Sequence, residues 1–404
     1  MMECPWPTAT IADCLDPVSF SSTVKIQTRD YQQTGRFPII DQGQEPIAGW
    51  TNDEDAVISY PLPLIVFGDH SRAFKFIDFP FARGADGTQL LKPKANIDPL
   101  FFFYACRAVD LPSRGYNRHF SILKEKEIPL LDRNEQIAIA AVLRRIERVL
   151  QQQSSLVAGV QDLKHAVMRE LFTQGLRGEP QKETEIGPVP ESWEVVNFSA
   201  VREWLQYGTS TRCSSEGGEY PVLRIPNVES GHVNALDLKY CNLAKEEAEK
   251  YLLAHGDLLF IRTNGVLDRL GSCAVYSGLP ERALFASYLI RARLKPSIDP
   301  RFVAFFFGSE RGTALVAGRA TPAADGKYNL NTGTIDSLPL PVPPTLDEQH
   351  DIVAILDAID RKIALHRQKR AVLEELFKSL LHKLMTGEIR VADLDLPALE
   401  ARTV

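Results

Sequence analysis

"LDEQHDIVAILDAIDRKIALHRQKRAVLEELFKSLLHKLMTGEIR", Leu346 to Arg390, decides the fold, because the chain has already written something close to it. The earlier copy is "RNEQIAIAAVLRRIERVLQQQSSLVAGVQDLKHAVMRELFTQGLRGE", Arg133 to Glu179. Superimposing Gln136 on Gln349 aligns Glu135 with Glu348, Ile139 with Ile352, Leu143 with Leu356 and Ile146 with Ile359. The match runs without a gap to Leu171 with Leu384 and Thr173 with Thr386. An internal repeat on this scale governs every later assignment of domains.

Both copies carry the same apolar rhythm. Steps of four and three from Ile352 reach Leu356, Ile359, Ile363, Leu373, Phe377 and Leu380, with His366 and Arg370 as polar interruptions. From Ile139 they reach Leu143, Ile146, Leu150 and Val157, with Gln153 and Lys164 polar. A mean spacing of about 3.5 residues sustained this far is a coiled-coil seam. Neither stretch contains proline, and each helix would run about 50–60 Å at ~1.5 Å per residue. Antiparallel pairing sets Gln153 opposite Arg370 and Val157 opposite His366, with a pseudo-two-fold axis between them. The other reading is two amphipathic helices that each pack on their own domain.

The remaining sequence repeats more faintly. "GRFPIIDQGQ" from Gly35 resembles "GGEYPVLRIPN" from Gly217, and "LKPKANIDPLFFFYACRA" from Leu91 resembles "LKPSIDPRFVAFFFGSERG" from Leu294. Short β-rich runs such as "PLPLIVFGD" and "GDLLFIRT" lie between, split by turn residues. The expected architecture is α+β. Residues 1–130 form a mixed globule, 131–175 a long helix, 176–192 a polar joint, 193–343 a second globule, 344–388 a second long helix and 389–404 a tail.

Bulk properties agree with a soluble multidomain chain. At 404 residues it exceeds one ordinary core. Apolar residues make up 44% and charged residues 24%, and no apolar run is long enough to span a bilayer. The start does not read as a secretory signal, and six scattered cysteines without a CxxC pair suit reduced cytosolic thiols. A cytoplasmic location is therefore expected. The net charge of −6 neither points to nucleic acid nor excludes it, because phosphates respond to the local face.

The ending "PVPPTLDEQHDIVAIL…LLHKLMTGEIRV", the stretch "IGPVPESWEVV" and "YPVLRIPN" together resemble the specificity subunit of Type I restriction–modification enzymes, the HsdS family. The resemblance covers nearly the whole chain, although the first half offers only Trp6 as a loose counterpart of Trp193. It implies two target recognition domains that each read half of an asymmetric bipartite site in double-stranded DNA. It also implies that the long helices act as spacer and as dock for two methyltransferase subunits, and through them restriction subunits. S-adenosylmethionine, ATP and Mg would belong to those partners, with no cofactor in this chain. Two half-sites read from one side of a duplex lie roughly 34–36 Å apart, a distance a rigid helical strut can set.

Base reading needs Arg, Lys, Asn, Gln, Ser or Thr on loops, with phosphate contacts for position. From Leu259 to Lys327 there are ten Lys or Arg against five Asp or Glu. The candidates there are Arg262, Thr263, Asn264, Arg269, Arg319 and Lys327, preceded by Arg224 and Asn227 in "RIPN". In the first globule they are Ser71, Arg72, Lys75, Arg83 and Gln89. Ordinary solvated charge is the competing reading for each residue taken singly. A basic band, Arg361, Lys362, Arg367, Lys369 and Arg370, lies on the second helix as a candidate partner surface.

Catalytic signatures are missing from the sequence. It has no NPPY or DPPY motif, no FxGxG loop, no P-loop, no Pro-Asp dipeptide and no HExxH. The eight histidines have no metal-ligand spacing. The expectation is a DNA-binding subunit without catalysis of its own; the alternative is a coiled-coil scaffold whose globules bind protein.

Overall fold

The structure is a computed structural model that describes residues 6–17, 19–85, 87–112, 118–229 and 231–394. The chain divides into two compact units, Met1–Ser155 with Arg367–Val404, and Leu156–His366. The division falls inside both long helices rather than at their ends, where the sequence reading placed the domain limits. The helices span Arg133–Gln174 and Leu346–Thr386. Asp132 starts the first by accepting the N–H groups of Asn134 and Glu135 at 3.0 and 3.1 Å. Gly175 and Gly387, with φ of +64° and +75°, end them in the left-handed conformation that glycine adopts without penalty.

Inside each unit one half of the first helix packs on one half of the second, in opposite directions. In the second unit Lys164 Nζ lies 2.6 Å from Asp360 Oδ1, and a Cβ at Gly175 would lie 3.4 Å from Glu348 Oε1. Residue numbers that rise along one helix thus fall along the other. In the first unit Tyr104 touches both helices, donating its hydroxyl to Glu147 at 2.9 Å and setting its ring edge-on to Phe377. Ile139, Leu143, Ile146, Val157, Ile352, Leu356, Ile363, Leu373, Phe377 and Leu380 are buried as the seam requires. Leu150 and Ile359 are half-buried. Lys164 fills its seam position by pairing with Asp360 and lying 5.0 Å from the centre of the Phe305 ring.

The first unit holds a five-stranded sheet centred on Phe81–Gly84, which pairs with Lys25–Ile26, Phe37–Ile40 and Val57–Ile58. A three-stranded antiparallel sheet, Phe74–Ile77, Leu64–Gly68 and Thr88–Leu91, lies in the same unit. The second unit holds a six-stranded sheet in the order Arg202–Tyr207, Leu289–Leu294, Leu258–Ile261, Cys273–Val275, Gly231–Val233 and Val228–Glu229. Strands as apolar as "LLFI" at Leu258–Ile261 are covered on both faces, since all four residues are buried.

A polar clasp recurs in both units. Asp98 caps the helix Pro99–Ala108 by accepting from Leu100 and Phe101, and its own N–H donates to Gln136 Oε1 at 2.7 Å. Asp299 caps Pro300–Phe307 in the same way and donates to Gln349 Oε1 at 2.9 Å. Both glutamines are buried, at 3% and 1% exposure, so each long helix is stitched to the aromatic helix of its own globule.

The polar joint expected at 176–192 is ordered. Gln181–Lys182 pairs with Val189–Pro190, and Val189 and Ile186 enter the core of the second unit. Trp193 is fully buried and donates its indole N–H to Glu348 at 3.1 Å, while Arg177 approaches the same carboxylate at 3.3 Å. In the first unit Arg390 lies 4.7 Å from the centre of the Trp6 ring. Trp6 therefore takes a comparable place beside the end of a long helix, despite the loose sequence match.

Candidate nucleic-acid interface

In the second unit the chain leaves strand Leu258–Ile261 and enters Arg262, whose backbone is held on both sides. Its N–H donates to Tyr288 O at 3.1 Å, and its carbonyl accepts from Leu330 at 2.7 Å. Thr263 and Asn264 then pair with Asn329 and Tyr328, which in turn pair with Thr321–Pro322. The Arg262 guanidinium lies 4.7 Å from the centre of the Tyr207 ring and donates to Ser287 O at 3.4 Å. Its buried Nε has no hydrogen-bond partner among the described residues. Arg262, Thr263, Ser287, Tyr288, Lys327 and Asn329 line one open cleft of ≈ 460 Å³.

Charge pairing separates these cations from their neighbours. Arg202 pairs with Asp336, Arg282 with Glu219, Arg301 with Asp357, and Arg291 and Arg293 with the buried Asp257. Arg293 grips Asp257 through two bonds of 2.8 and 2.9 Å. Arg291 and Arg293 both lie on the Trp204 ring, and burial pushes the Arg291 guanidinium down to about 10. These are structural ion pairs. By contrast Arg262, Arg269 and Arg319 have no carboxylate partner among the described residues, and Arg269 is exposed. Lys327 is exposed and pairs with Asp325 at 2.7 Å; their hydrogen bond raises the lysine and lowers the carboxyl.

Several sequence candidates serve the fold instead. Asn227 is fully buried: its amide donates to Asn234 O and Leu236 O and its oxygen accepts from Arg224 N, which leaves nothing for a base. Arg224 donates to Asp237 O at 2.6 Å and pairs with its carboxylate. Lys75 is 9% exposed and donates to Glu45 O at 2.5 Å beside Asp41; burial lowers its pKa. Arg83 donates to Thr88 O, and burial lowers its pKa too. Ser71 donates to Gln42 O. The candidacies of Asn227 and Lys75 are therefore corrected, because buried polar groups are held by internal partners, whereas Arg83 and Ser71 are half-buried and each bond one internal carbonyl.

In the first unit Arg72 and Gln89 remain. Arg72 sits in the turn between Leu64–Gly68 and Phe74–Ile77 with φ of +61°, an unusual conformation for a residue other than glycine. Its guanidinium donates to Leu111 O at 2.8 Å at the edge of an open cleft. Gln89 is half-buried on the strand Thr88–Leu91. Tyr207, Tyr288 and Asn329 were missed by the sequence reading. Tyr288, 59% exposed, lies just before a strand whose residues are nearly all buried, so local alternation gave no signal for it. Among the described residues no group of His, Cys, Asp or Glu could hold a metal ion, and no helix is long and apolar enough to cross a membrane.

Residues 190–375, which include this cleft, match the family model described as Type I restriction modification DNA specificity domain. The EcoKI specificity subunit of Escherichia coli K12 is 27% identical over 276 residues, 65% of this chain and 57% of that one. The MjaX specificity subunit of Methanocaldococcus jannaschii is 29% identical over 221 residues, 54% and 51% of the respective chains. The chain thus spans little more than half the length of these relatives. A crystal structure of the S subunit of a Type I restriction–modification system from M. genitalium shares the fold, with a TM-score of 0.60 and 17% identity over 95% of this chain and 97% of that one. The fold is that of the Type I specificity subunits. Residues 190–375 are similar to the DNA specificity domain of that class.

Proposed function

We propose that this chain is the DNA specificity subunit of a Type I restriction–modification complex and catalyses nothing itself. It reads an asymmetric, bipartite sequence in double-stranded DNA, one half with each globule. Two methyltransferase subunits dock on its helices and carry the restriction subunits with them. S-adenosylmethionine, ATP and Mg serve those partners, and the complex works in the cytoplasm.

The observation that carries this reading is the cleft of Arg262, Tyr288, Lys327 and Asn329 inside the matched domain. It joins a cation without a carboxylate partner to an exposed aromatic ring and to amide and hydroxyl groups that can address base edges. The docking surface is supported by the second helix, where exposed Leu365 and Val372 lie among exposed Arg361, Lys362, Arg367 and Arg370. An overall charge of −6 is compatible with this, because phosphates respond to the local face rather than to the total charge.

The test is methylome sequencing of the host with and without this gene. Loss of one bipartite adenine-methylation motif is the expected result. An unchanged methylome in a host that expresses the partner methyltransferase overturns the reading in favour of a protein-binding scaffold.

A further inference from the structure

Cys213 and Cys241 are 28 residues apart and unrelated by any motif, yet the backbone sets them face to face. Ser214 and Tyr240 exchange both main-chain hydrogen bonds, Ser214 N–H to Tyr240 O at 2.9 Å and Tyr240 N–H to Ser214 O at 2.8 Å. In an antiparallel ladder such a pair is followed by one that exchanges no bonds, with Cα atoms roughly 4.5 Å apart. One step along, that pair is Cys213 and Cys241. Directly opposed residues project to the same face. A disulfide requires Cα atoms roughly 4.4–6.8 Å apart, so the spacing fits.

The side chains use this placement. The Cys213 thiol donates to Thr211 O at 3.3 Å, and each thiol bears on the acidity of the other. Both pack in one small apolar cluster with Tyr220, Val222 and Leu284. Across the other edge of its strand Cys241 pairs with Tyr220. Cys213 is half-buried and reachable, whereas Cys241 is 3% exposed. The other close pair, Cys14 and Cys106, is sealed at 2% and 0% exposure. Cys273 is buried as well, and Cys4 lies outside the described residues.

We propose that Cys213 and Cys241 are a covalent modification site, a cross-strand dithiol that a peroxide-class oxidant converts to a disulfide. The Cys213 sulfur attacks one peroxide oxygen, the O–O bond breaks, and the leaving hydroxide takes the thiol proton as water, which leaves a sulfenic acid on Cys213. The Cys241 sulfur then attacks the Cys213 sulfur; the S–O bond breaks and a second water departs. Two thiols lose two electrons and two protons, and hydrogen peroxide is reduced to two waters.

The order follows from the surroundings. Burial raises the Cys213 thiol above its ordinary value, with Arg224, Lys239 and Cys241 opposing the rise, while burial pushes Cys241 up to about 11, so Cys213 is the more exposed and less opposed of the two. Both groups are thiols at neutral pH, so the reaction is slow there and accelerates as pH rises.

The test treats the full-length chain with hydrogen peroxide, alkylates remaining thiols in denaturant and maps unreduced peptides by mass spectrometry. The dominant cross-linked species should join the peptides of Cys213 and Cys241, be 2 Da lighter than the pair of thiols and vanish with dithiothreitol. Cys213→Ser should abolish it. Cys241→Ser should instead leave a Cys213 sulfenic acid that dimedone traps. Oxidation in guanidinium should lose the preference for this pair. The inference is overturned if Cys213 pairs elsewhere, if it over-oxidises while Cys241 remains a free thiol, or if the unfolded chain forms the same link equally well.

Discussion

Gln349 holds Asp299 from within the core: its Oε1 accepts the Asp299 N–H at 2.9 Å while its amide donates to Ser297 O at 3.2 Å. The Asp299 carboxylate then caps the aromatic helix Pro300–Phe307. Gln349→Met keeps the volume but leaves the half-buried Asp299 N–H and the exposed Ser297 carbonyl without their partner. The lost hydrogen bonds cost about 0.5–1.5 kcal/mol each. Hydrogen exchange at the amides of 299–302 should accelerate, and the denaturation midpoint of the second unit should fall. Unaltered exchange there would mean that the clasp contributes nothing.

The Lys164–Asp360 pair is mostly buried, with side-chain exposures of 13% and 15%. Removing one partner strands the other charge away from water, which is costlier than losing both. A double-mutant cycle with Lys164→Met and Asp360→Leu should yield a coupling of about 0.5–3 kcal/mol, with the double variant more stable than the sum of the singles implies. Strict additivity would show that solvent screens the pair.

Arg262 is expected to read a base edge rather than a phosphate. Arg262→Ala should weaken binding to the specific site by about 1–3 kcal/mol and relax selectivity at one position of one half-site. Arg262→Lys should not restore it, because a lysine lacks the planar fork. Binding selection on randomised DNA by the assembled complex reads this out. A uniform loss across sequences with a shallower salt dependence would instead make Arg262 a backbone contact.

Burial pushes the Cys273 thiol up to about 12, from an ordinary value of 9.0. Its contribution is therefore intact below pH 9 and lost as pH climbs towards 12, where the unfolded chain ionises first. Across that window the wild type should lose about 1.4 kcal/mol per pH unit relative to Cys273→Ala. Denaturation curves of both proteins between pH 8 and pH 11 on a common buffer series check the difference. Parallel curves would contradict it.

The helical half of the architecture was legible because a 3.5-residue rhythm reports a buried seam directly, and Ile352, Leu356 and Ile363 behave as that rhythm requires. The candidate interface was legible only in part. A loop arginine looks the same in sequence whether it is bound to a carboxylate or left without one. Arg262 and Arg293 each follow an apolar strand residue, yet of the two Asp257 neutralises only Arg293. Asn227 looked like a base reader and proved to be the internal brace of a turn.

The sequence by itself determined the duplicated plan and the two long helices, since periodicity and repetition are properties of the chain alone. Tertiary structure decided which charges are neutralised, why Gln136 and Gln349 recur, that the joint at 176–192 is ordered, and that Cys213 meets Cys241. Those outcomes depend on partners distant in sequence, and the free energy of a polar group is set by whatever folding brings within bonding distance of it.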